Sequence, residues 1–418
     1  MILTRFMNEA ITAFPLAFLL AGGAEIPRLL LDMLLVFGSA KLLAEAAERL
    51  KQPPVVGELC AGILIGPSVL GWVTPTDFLR VLAELGVMFL LFRVGLELKD
   101  FQLTKLGFDA LMVAVLGVIA PFLGGWGLMA AMGHPHIESV FVGAALVATS
   151  VGITARVLAS KGLLQERASK LILAAAIIDD VLGLLVLSVV SSMAKGQVNL
   201  IELASTAALA IGFTFIVAHW GTRTMERIVP KMENRLQAGG GQFTLAIVLL
   251  FGLSLLAIHA GVAAIIGAFL AGMALANSTG PQVADMTNGV TEFLVPFFLA
   301  GIGLHLDMSV FRSSTVIGIA VAVLLLACAS KFLGCAAGAW RLGWLDAKRI
   351  GVGMIPRGEV GMVVAQIGLR MGVIPPDVYG VVVSMSIGTT IVAPPLLKLA
   401  FRSLGEAPGK VRALPRVG

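Results

Sequence analysis

Two adjacent carboxylates, Asp179 and Asp180, interrupt the apolar stretch "AAAIIDDVLGLLVL" (174–187). A charge at the centre of a bilayer costs from about 2.5 to more than 10 kcal/mol, and residues that bear one pair up or line a water-filled path. A third deep charge, Lys331, lies within "VIGIAVAVLLLACASKFLGCAAGAW" (316–340). Pairing an aspartate with Lys331 is the least costly arrangement, and it leaves one carboxylate over. Neighbouring helix residues project about 100° apart, so the two aspartates cannot address one partner equally. One can face Lys331 while the other faces a cavity. The spare carboxylate can hold a proton or a small hard cation, for which oxygen ligands are suited, but not both. Coupled exchange of proton for cation is the expected chemistry. A purely structural buried ion pair is the alternative.

The segment Thr149–Ser150–Val151–Gly152 offers further oxygen ligands. If the helix unwinds there, backbone carbonyls and the Thr149 and Ser150 hydroxyls face the same space, which a membrane tolerates only beside protein or water. The competing reading has both hydroxyls bonding back to their own helix. Other charges, including Arg28, Asp32, Lys41, Arg93, Glu97 and Lys99, are read as helix-end groups whose long stems reach the interface. Cys60, Cys328 and Cys335 have neither disulfide nor metal-ligand spacing and are read as helix-packing residues.

The elements that position these groups must be membrane helices. The chain is 58% hydrophobic and 13% charged over 418 residues, against about 25% charged in soluble domains. Many apolar runs exceed the ~20 residues needed to cross a bilayer, and strand-like alternation is absent. Thirteen helical segments are expected, at 26–50, 54–72, 77–98, 106–133, 137–160, 164–193, 198–222, 242–257, 260–278, 286–305, 311–341, 347–371 and 376–401. Residues 1–25 read either as a leader or accessory segment or as a further helix. The net charge of +5 is spread over short loops, which disfavours nucleic-acid binding. One set of alternate loops holds Arg49, Lys51, Lys99, Lys105, Lys161, Arg167, Arg223, Arg227, Lys231, Arg235, Lys348 and Arg349. That side, with the tail from 402 to 418, is expected to be cytoplasmic. A long loop at 223–241 divides the chain into halves. Each half has a helix with a polar interruption, "VATSVGITAR" and "ACASKFLGCAAG", a pairing that points to a transporter with inverted repeats.

Seven motifs then occur in a specific order: "KQPPVVGELCAGILIGPSVLGW", "FRVGLELKDF", "ATSVGITARVL", "AAIIDDVLGL", "AAIIGAFLAGMAL", "LVPFFLAGIGLHLDM" and "PRGEVGMVVAQIGL". From about residue 26 to 401 the chain resembles the monovalent cation:proton antiporter-2 family, closest to NapA-type sodium/proton antiporters. The resemblance implies an all-α, NhaA-like inverted-repeat fold of about thirteen spans with two crossing unwound helices. It implies a dimer domain at 26–98 and 242–305, a core domain at 106–193 and 311–401, and a linker helix at 198–222. It also implies a homodimer whose core moves as an elevator, in a bacterial plasma membrane and without a cofactor. Residue by residue, Asp180 matches the ion-binding aspartate and Asp179 the partner of Lys331. Thr149–Ser150 matches one unwound helix, and the region before Lys331 the other. The aspartate pair resembles the electrogenic type, with Na+ or also Li+ as substrate, held at Asp180 with Asp179, Thr149 and Ser150. A Kef-like K+/H+ antiporter without its regulatory domain is the alternative. Glu359 and Arg357 are read as charge-balancing supports, Glu58 as structural or a funnel residue, and His259 and His305 as candidate pH sensors.

An intramembrane aspartyl protease needs its two aspartates on different helices, typically with a Gly-x-Gly-Asp element, and here the pair is adjacent. A proton-pumping respiratory subunit needs buried lysines on several helices. A passive channel needs a symmetric filter loop. Antiport remains.

Overall fold

The computed structural model describes residues 25–98, 103–194, 200–233, 241–306 and 313–402. Residues 1–24, the tail from 403, and Lys99, Lys195 and Arg235 lie outside the described residues. Every regular element among the described residues is helical. The chain forms α1 (Glu25–Arg49), α2 (Pro54–Ile65), α3 (Asp77–Glu97), α4 (Leu103–Ala131), α5 (His136–Ala145), α6 (Val151–Ser160), α7 (Arg167–Ala194) and α8 (Leu200–Glu233). It continues with α9 (Gly241–His259), α10 (Ala264–Leu275), α11 (Pro281–Leu304), α12 (Ser314–Gly338), α13 (Trp344–Gly353), α14 (Glu359–Arg370) and α15 (Pro376–Ala400). Each expected segment contains one helix, or two where it is broken. Six of them (α4, α7, α9, α11, α12 and α15) are long and apolar enough to cross a membrane.

Start signals are local. Proline opens α2, α11 and α15, where its missing N–H costs nothing. Thr76 caps α3 by accepting from the Leu79 N–H at 3.2 Å. The stretch 223–233, expected as loop, is the end of α8. Arg223, Glu226 and Arg227 stand there at helical i, i+3 and i+4 spacing, which supports a helix beyond its apolar part.

The helices pack in two groups. In the first, α3 lies against α10 and α11, α2 against α1 and α11, and α9 against α10. In the second, α4 lies along α12 and touches α5 and α7, while α13, α14 and α15 pack around them. Helix α6 is at the seam, touching α15 and α7 on one side and α3 and α2 on the other. Helix α8 meets α10 and α9 as well as α7 and α4.

The two halves of the chain repeat one packing scheme. A Cβ at Gly57 of α2 would overlap the Leu43 carbonyl, and one at Gly267 of α10 the Leu253 carbonyl. One at Gly62 would overlap the Ala300 oxygen of α11, and one at Gly272 the Phe92 oxygen of α3. Gly143 of α5 lies against the Phe122 oxygen of α4, as Gly351 of α13 lies against the Phe332 oxygen of α12. Small residues let helix backbones approach this closely where lipid gives no hydrophobic drive.

Both halves contain a broken helix. The first break, between α5 and α6, is at the expected Thr149–Ser150 segment. The second is not where expected: α12 runs unbroken through Ser330 and Lys331. It falls instead at Met354–Gly358, between α13 and α14. Pro356 has no N–H to give a helix and pushes Ile355 out of helical geometry. Ser330 and Cys335, by contrast, are buried against neighbouring helices and need no unwinding.

Candidate ion-binding site

The two breaks touch. The Ser150 N–H donates to the Pro356 oxygen at 2.8 Å. Thr149 Oγ1 donates to the Met354 oxygen at 3.4 Å, and Thr154 Oγ1 to the Gly353 oxygen at 2.6 Å. A Cβ at Gly358 would stand 2.8 Å from Ser150 Cβ and Oγ, so glycine is what lets the segments meet. Each break thereby supplies hydrogen bonds that the other has lost, which low-dielectric surroundings require.

The second break is further held by α15. Thr389 Oγ1 accepts from the Arg357 N–H at 3.1 Å, and Thr390 Oγ1 donates to the Arg357 oxygen at 2.6 Å. In sequence, "IGTT" (387–390) of α15 follows "IIDD" (177–180) of α7, and "KFLG" (331–334) of α12 follows "PFLG" (121–124) of α4, at the same spacing that separates Gly57 from Gly267 and Gly62 from Gly272. One half therefore carries two carboxylates and a proline where the other carries two hydroxyls and a lysine.

Those charged groups divide their work. Lys331 Nζ donates to Asp179 Oδ1 at 2.7 Å and to the Val147 oxygen at 2.6 Å, with both side chains fully buried. It thus binds an aspartate and a carbonyl left free where α5 ends. Asp179 Oδ2 has no hydrogen-bond partner among the described residues. Asp180 faces away from this pair into a cavity of about 30 Å³. Room for one water needs about 10–15 Å³ on this measure, so the space admits a small cation or one or two waters. Thr149, Ser150 and Gly358 line it from the breaks, Ile177 from α7, Leu91 from α3 and Phe269 from α10. Asp180, Thr149 and Ser150 are brought to one cavity, Asp179 and Lys331 stand together beside it, and the cavity lies on the seam between the two helix groups.

Arg357 is fully buried and donates through Nη2 to the Ala327 oxygen, 3.2 Å away on α12. Its Nε and Nη1 have no hydrogen-bond partner among the described residues. It adds a second fixed positive charge to the core beside Lys331. Glu359 is the first residue of α14, and its side chain lies outside what is described. His259 and His305 are exposed helix-end residues, each with Nδ1 2.8 Å from the carbonyl oxygen four residues back. Neither is among the residues that line the cavity.

Residues 34–402 match the family described as "Sodium/hydrogen exchanger, transmembrane". The chain belongs to this family. Among its relatives, the exchanger chain is 34% identical to the "High-affinity Na(+)/H(+) antiporter NhaS3" of Synechocystis, over 91% of this chain and 92% of that protein. It is 32% identical to the "Na(+)/H(+)-K(+) antiporter GerN" of Bacillus cereus, over 89% and 96%. Its fold matches a solved structure of the sodium proton antiporter MjNhaP1 from Methanocaldococcus jannaschii. That match has a TM-score of 0.68 at 19% identity and covers 92% of this chain and all of that one. The exchanger is thus an all-helical integral membrane protein of a transporter family.

Two groups in this exchanger escape a reading of the sequence. Arg156 and Glu292 are single charges inside helical segments, and they form a two-pronged ion pair at 2.6 and 3.0 Å. Each stands within an expected helix, 137–160 or 286–305, and nothing local to either charge names its partner. Lys41, read as a helix-end group, instead reaches Glu292 at 3.5 Å.

Proposed function

We propose that the protein exchanges Na+ for protons at Asp180, with Li+ as a secondary substrate. The observation that carries this reading is the division of labour in "IIDD": Asp179 is held by Lys331 at 2.7 Å, while Asp180 lines a cation-sized cavity with Thr149 and Ser150. A cation at Asp180 would take the Thr149 and Ser150 hydroxyls and nearby carbonyls as further ligands. The positive N-terminal ends of α6 and α14 border the same cavity and offset part of the carboxylate charge. Proton and cation compete for one group, so a lower pH raises the apparent KM for Na+.

Entry of the cation lets Asp179 loosen from Lys331, so the site has two places to carry protons, Asp180 and the Asp179–Lys331 pair, against one cation. Exchange is then electrogenic. Arg357 and Glu359 balance the charge of the core. The seam position of the cavity supports alternating access by an elevator-like shift of the second helix group (106–193 and 311–401) against the first. The first group (26–98 and 242–305) is the scaffold of a homodimer, for which the exposed apolar faces of α1 and α9, such as Leu34 and Val248, are available. The 198–222 segment links the two. We place the protein in a bacterial plasma membrane with its C-terminus in the cytoplasm. K+ is the second reading, supported by the naming of K+ for GerN.

The test is reconstitution into proteoliposomes with an imposed pH gradient and Na+, Li+ or K+, with voltage clamped or free. Asp180→Asn should abolish cation-dependent proton flux in a protein that still melts cooperatively. Unchanged flux in that variant sinks the reading, a response to K+ alone overturns the ion assignment, and voltage-insensitive exchange removes electrogenicity.

A further inference from the structure

Glu292 of α11 is the meeting point of cations from three other helices. Arg156 of α6 grips both carboxylate oxygens, Nη1 to Oε1 at 2.6 Å and Nη2 to Oε2 at 3.0 Å. Lys41 of α1 approaches Oε2 at 3.5 Å and Arg93 of α3 approaches Oε1 at 3.7 Å. Glu58 of α2, buried, stands 4.0 Å from Lys41, and Glu97 takes Arg93 Nε at 3.0 Å. Helices α1, α2, α3 and α11 all belong to the first group. Arg156 comes instead from the seam helix α6, which also packs on α7 and α15 of the second group.

The pair therefore bridges the seam, and it does so close to the ion site. Gly152 lines the cavity, and Arg156 follows one helical turn later. Two further contacts cross the seam towards the same end: Gln165 Nε2 donates to the Glu97 oxygen, and Lys398 Nζ to the Lys51 oxygen. A two-pronged arginine–carboxylate pair fixes angle as well as distance, and a slide of one helical turn, about 5.4 Å, cannot preserve it. The cavity itself extends from Asp180 past Ile177, Ala176 and Leu173. That direction leads to the Arg167 end of α7, the side rich in Lys and Arg.

We propose that Arg156 and Glu292 are positioning residues that latch the two helix groups in the register seen here, with Asp180 turned to the cytoplasmic side, and that each transport cycle breaks and remakes this pair. The inference rests on the alternating-access reading above, to which it adds the contact that sets the balance between the two states. Lys41 and Arg93 hold the Glu292 carboxylate in place from its own group, so their loss leaves the bridge standing.

The experiment uses the full chain in membranes, with Cys60, Cys328 and Cys335 replaced by alanine and a reporter cysteine at Ala176. A small cationic, membrane-impermeant thiol reagent is applied to right-side-out and inside-out vesicles. Arg156→Gln and Glu292→Gln should each lower the ratio of cytoplasmic to external labelling by about tenfold, which corresponds to ~1.4 kcal/mol. They should also raise the KM for cytoplasmic Na+. The double variant should match either single one, because removing one partner already opens the latch. Arg93→Gln should leave the ratio where it was. Arg156→Lys and Glu292→Asp, which keep the charges, should fall between and serve if the neutral variants fail to fold. An unchanged ratio in both single variants, additive effects in the double, or an equal shift from Arg93→Gln overturns the latch. Labelling is read without transport, so the two readings separate. An active Asp180→Asn would defeat the antiport site while leaving the labelling ratios, and the latch they measure, untouched.

Discussion

Lys331 makes two contacts whose loss can be weighed separately. Its Nζ lies 2.7 Å from Asp179 Oδ1 and 2.6 Å from the Val147 oxygen, at a position with no solvent exposure. Lys331→Met keeps the stem and removes the ammonium. Asp179 then loses its hydrogen-bonded countercharge, a change that costs about 3–5 kcal/mol. Replacing both partners, as in Asp179→Leu with Lys331→Met, removes the unpaired charge and leaves the Val147 carbonyl as the residual penalty. An orphaned buried acceptor costs about 1–3 kcal/mol. The double variant should therefore be the more stable of the two, although it carries more substitutions. Thermal and denaturant melting of the purified protein in detergent gives both differences and their coupling. A single variant that costs less than about 1 kcal/mol would show that the ion pair is not the buried contact described. A double variant no better than the single would refute the assignment of the penalty to Asp179.

Two further sets of substitutions test how the breaks and the two halves are packed. Gly358→Ala places a methyl 2.8 Å from Ser150 Cβ and Oγ. It should cost about 1–3 kcal/mol through overpacking and lower Na+-dependent flux, and adding Ser150→Gly should recover the stability without restoring the hydroxyl. Gly62→Ala and Gly272→Ala would each drive a methyl into a carbonyl of the facing helix. Both should fail to the same degree in a gel-filtration assay of folded protein. Gly38→Ala and Gly252→Ala, which meet open space, should gain up to about 1 kcal/mol from helix propensity. Tolerance at Gly62, or a large difference between it and Gly272, would count against the repeated packing.

Much of this architecture is legible because lipid removes choices. Backbone groups must be satisfied within each segment, so apolar runs and the turns between them expose the helices directly. A charge in such a run is equally conspicuous, and Asp179, Asp180 and Lys331 stand out for that reason. The second break is harder to place because "ACASKFLGCAAG" and "GMIPRGEVG" carry competing signals. The first is rich in small residues, and those serve close packing of α12 on α4. The second contains the proline, but its segment reads as one helix if the break is sought beside the lysine. The Arg156–Glu292 contact is out of reach for a different reason. Nothing local distinguishes a lone charge that ends at the interface from one that meets a partner on a helix more than a hundred positions away.

The matched packing of the two halves bears on the proposed ion site. In the second half Thr389 and Thr390 hold the Arg357 backbone at 3.1 and 2.6 Å, so the backbone at that break is served by neutral hydroxyls. In the first half Asp179 and Asp180 stand at the matching positions of the sequence, and the Val147 carbonyl is satisfied by Lys331. Two hydroxyls have become two carboxylates, and only one of these is neutralised by the lysine that stands where the other half has Pro121. If holding the backbone were the only requirement, the threonine solution would serve both halves without buried carboxylates. The cost of the carboxylates is borne at one break alone, and it is there that the cavity opens against α3 and α10. The asymmetry between two otherwise matching halves is therefore the physical argument that Asp180 is kept for exchange rather than for folding.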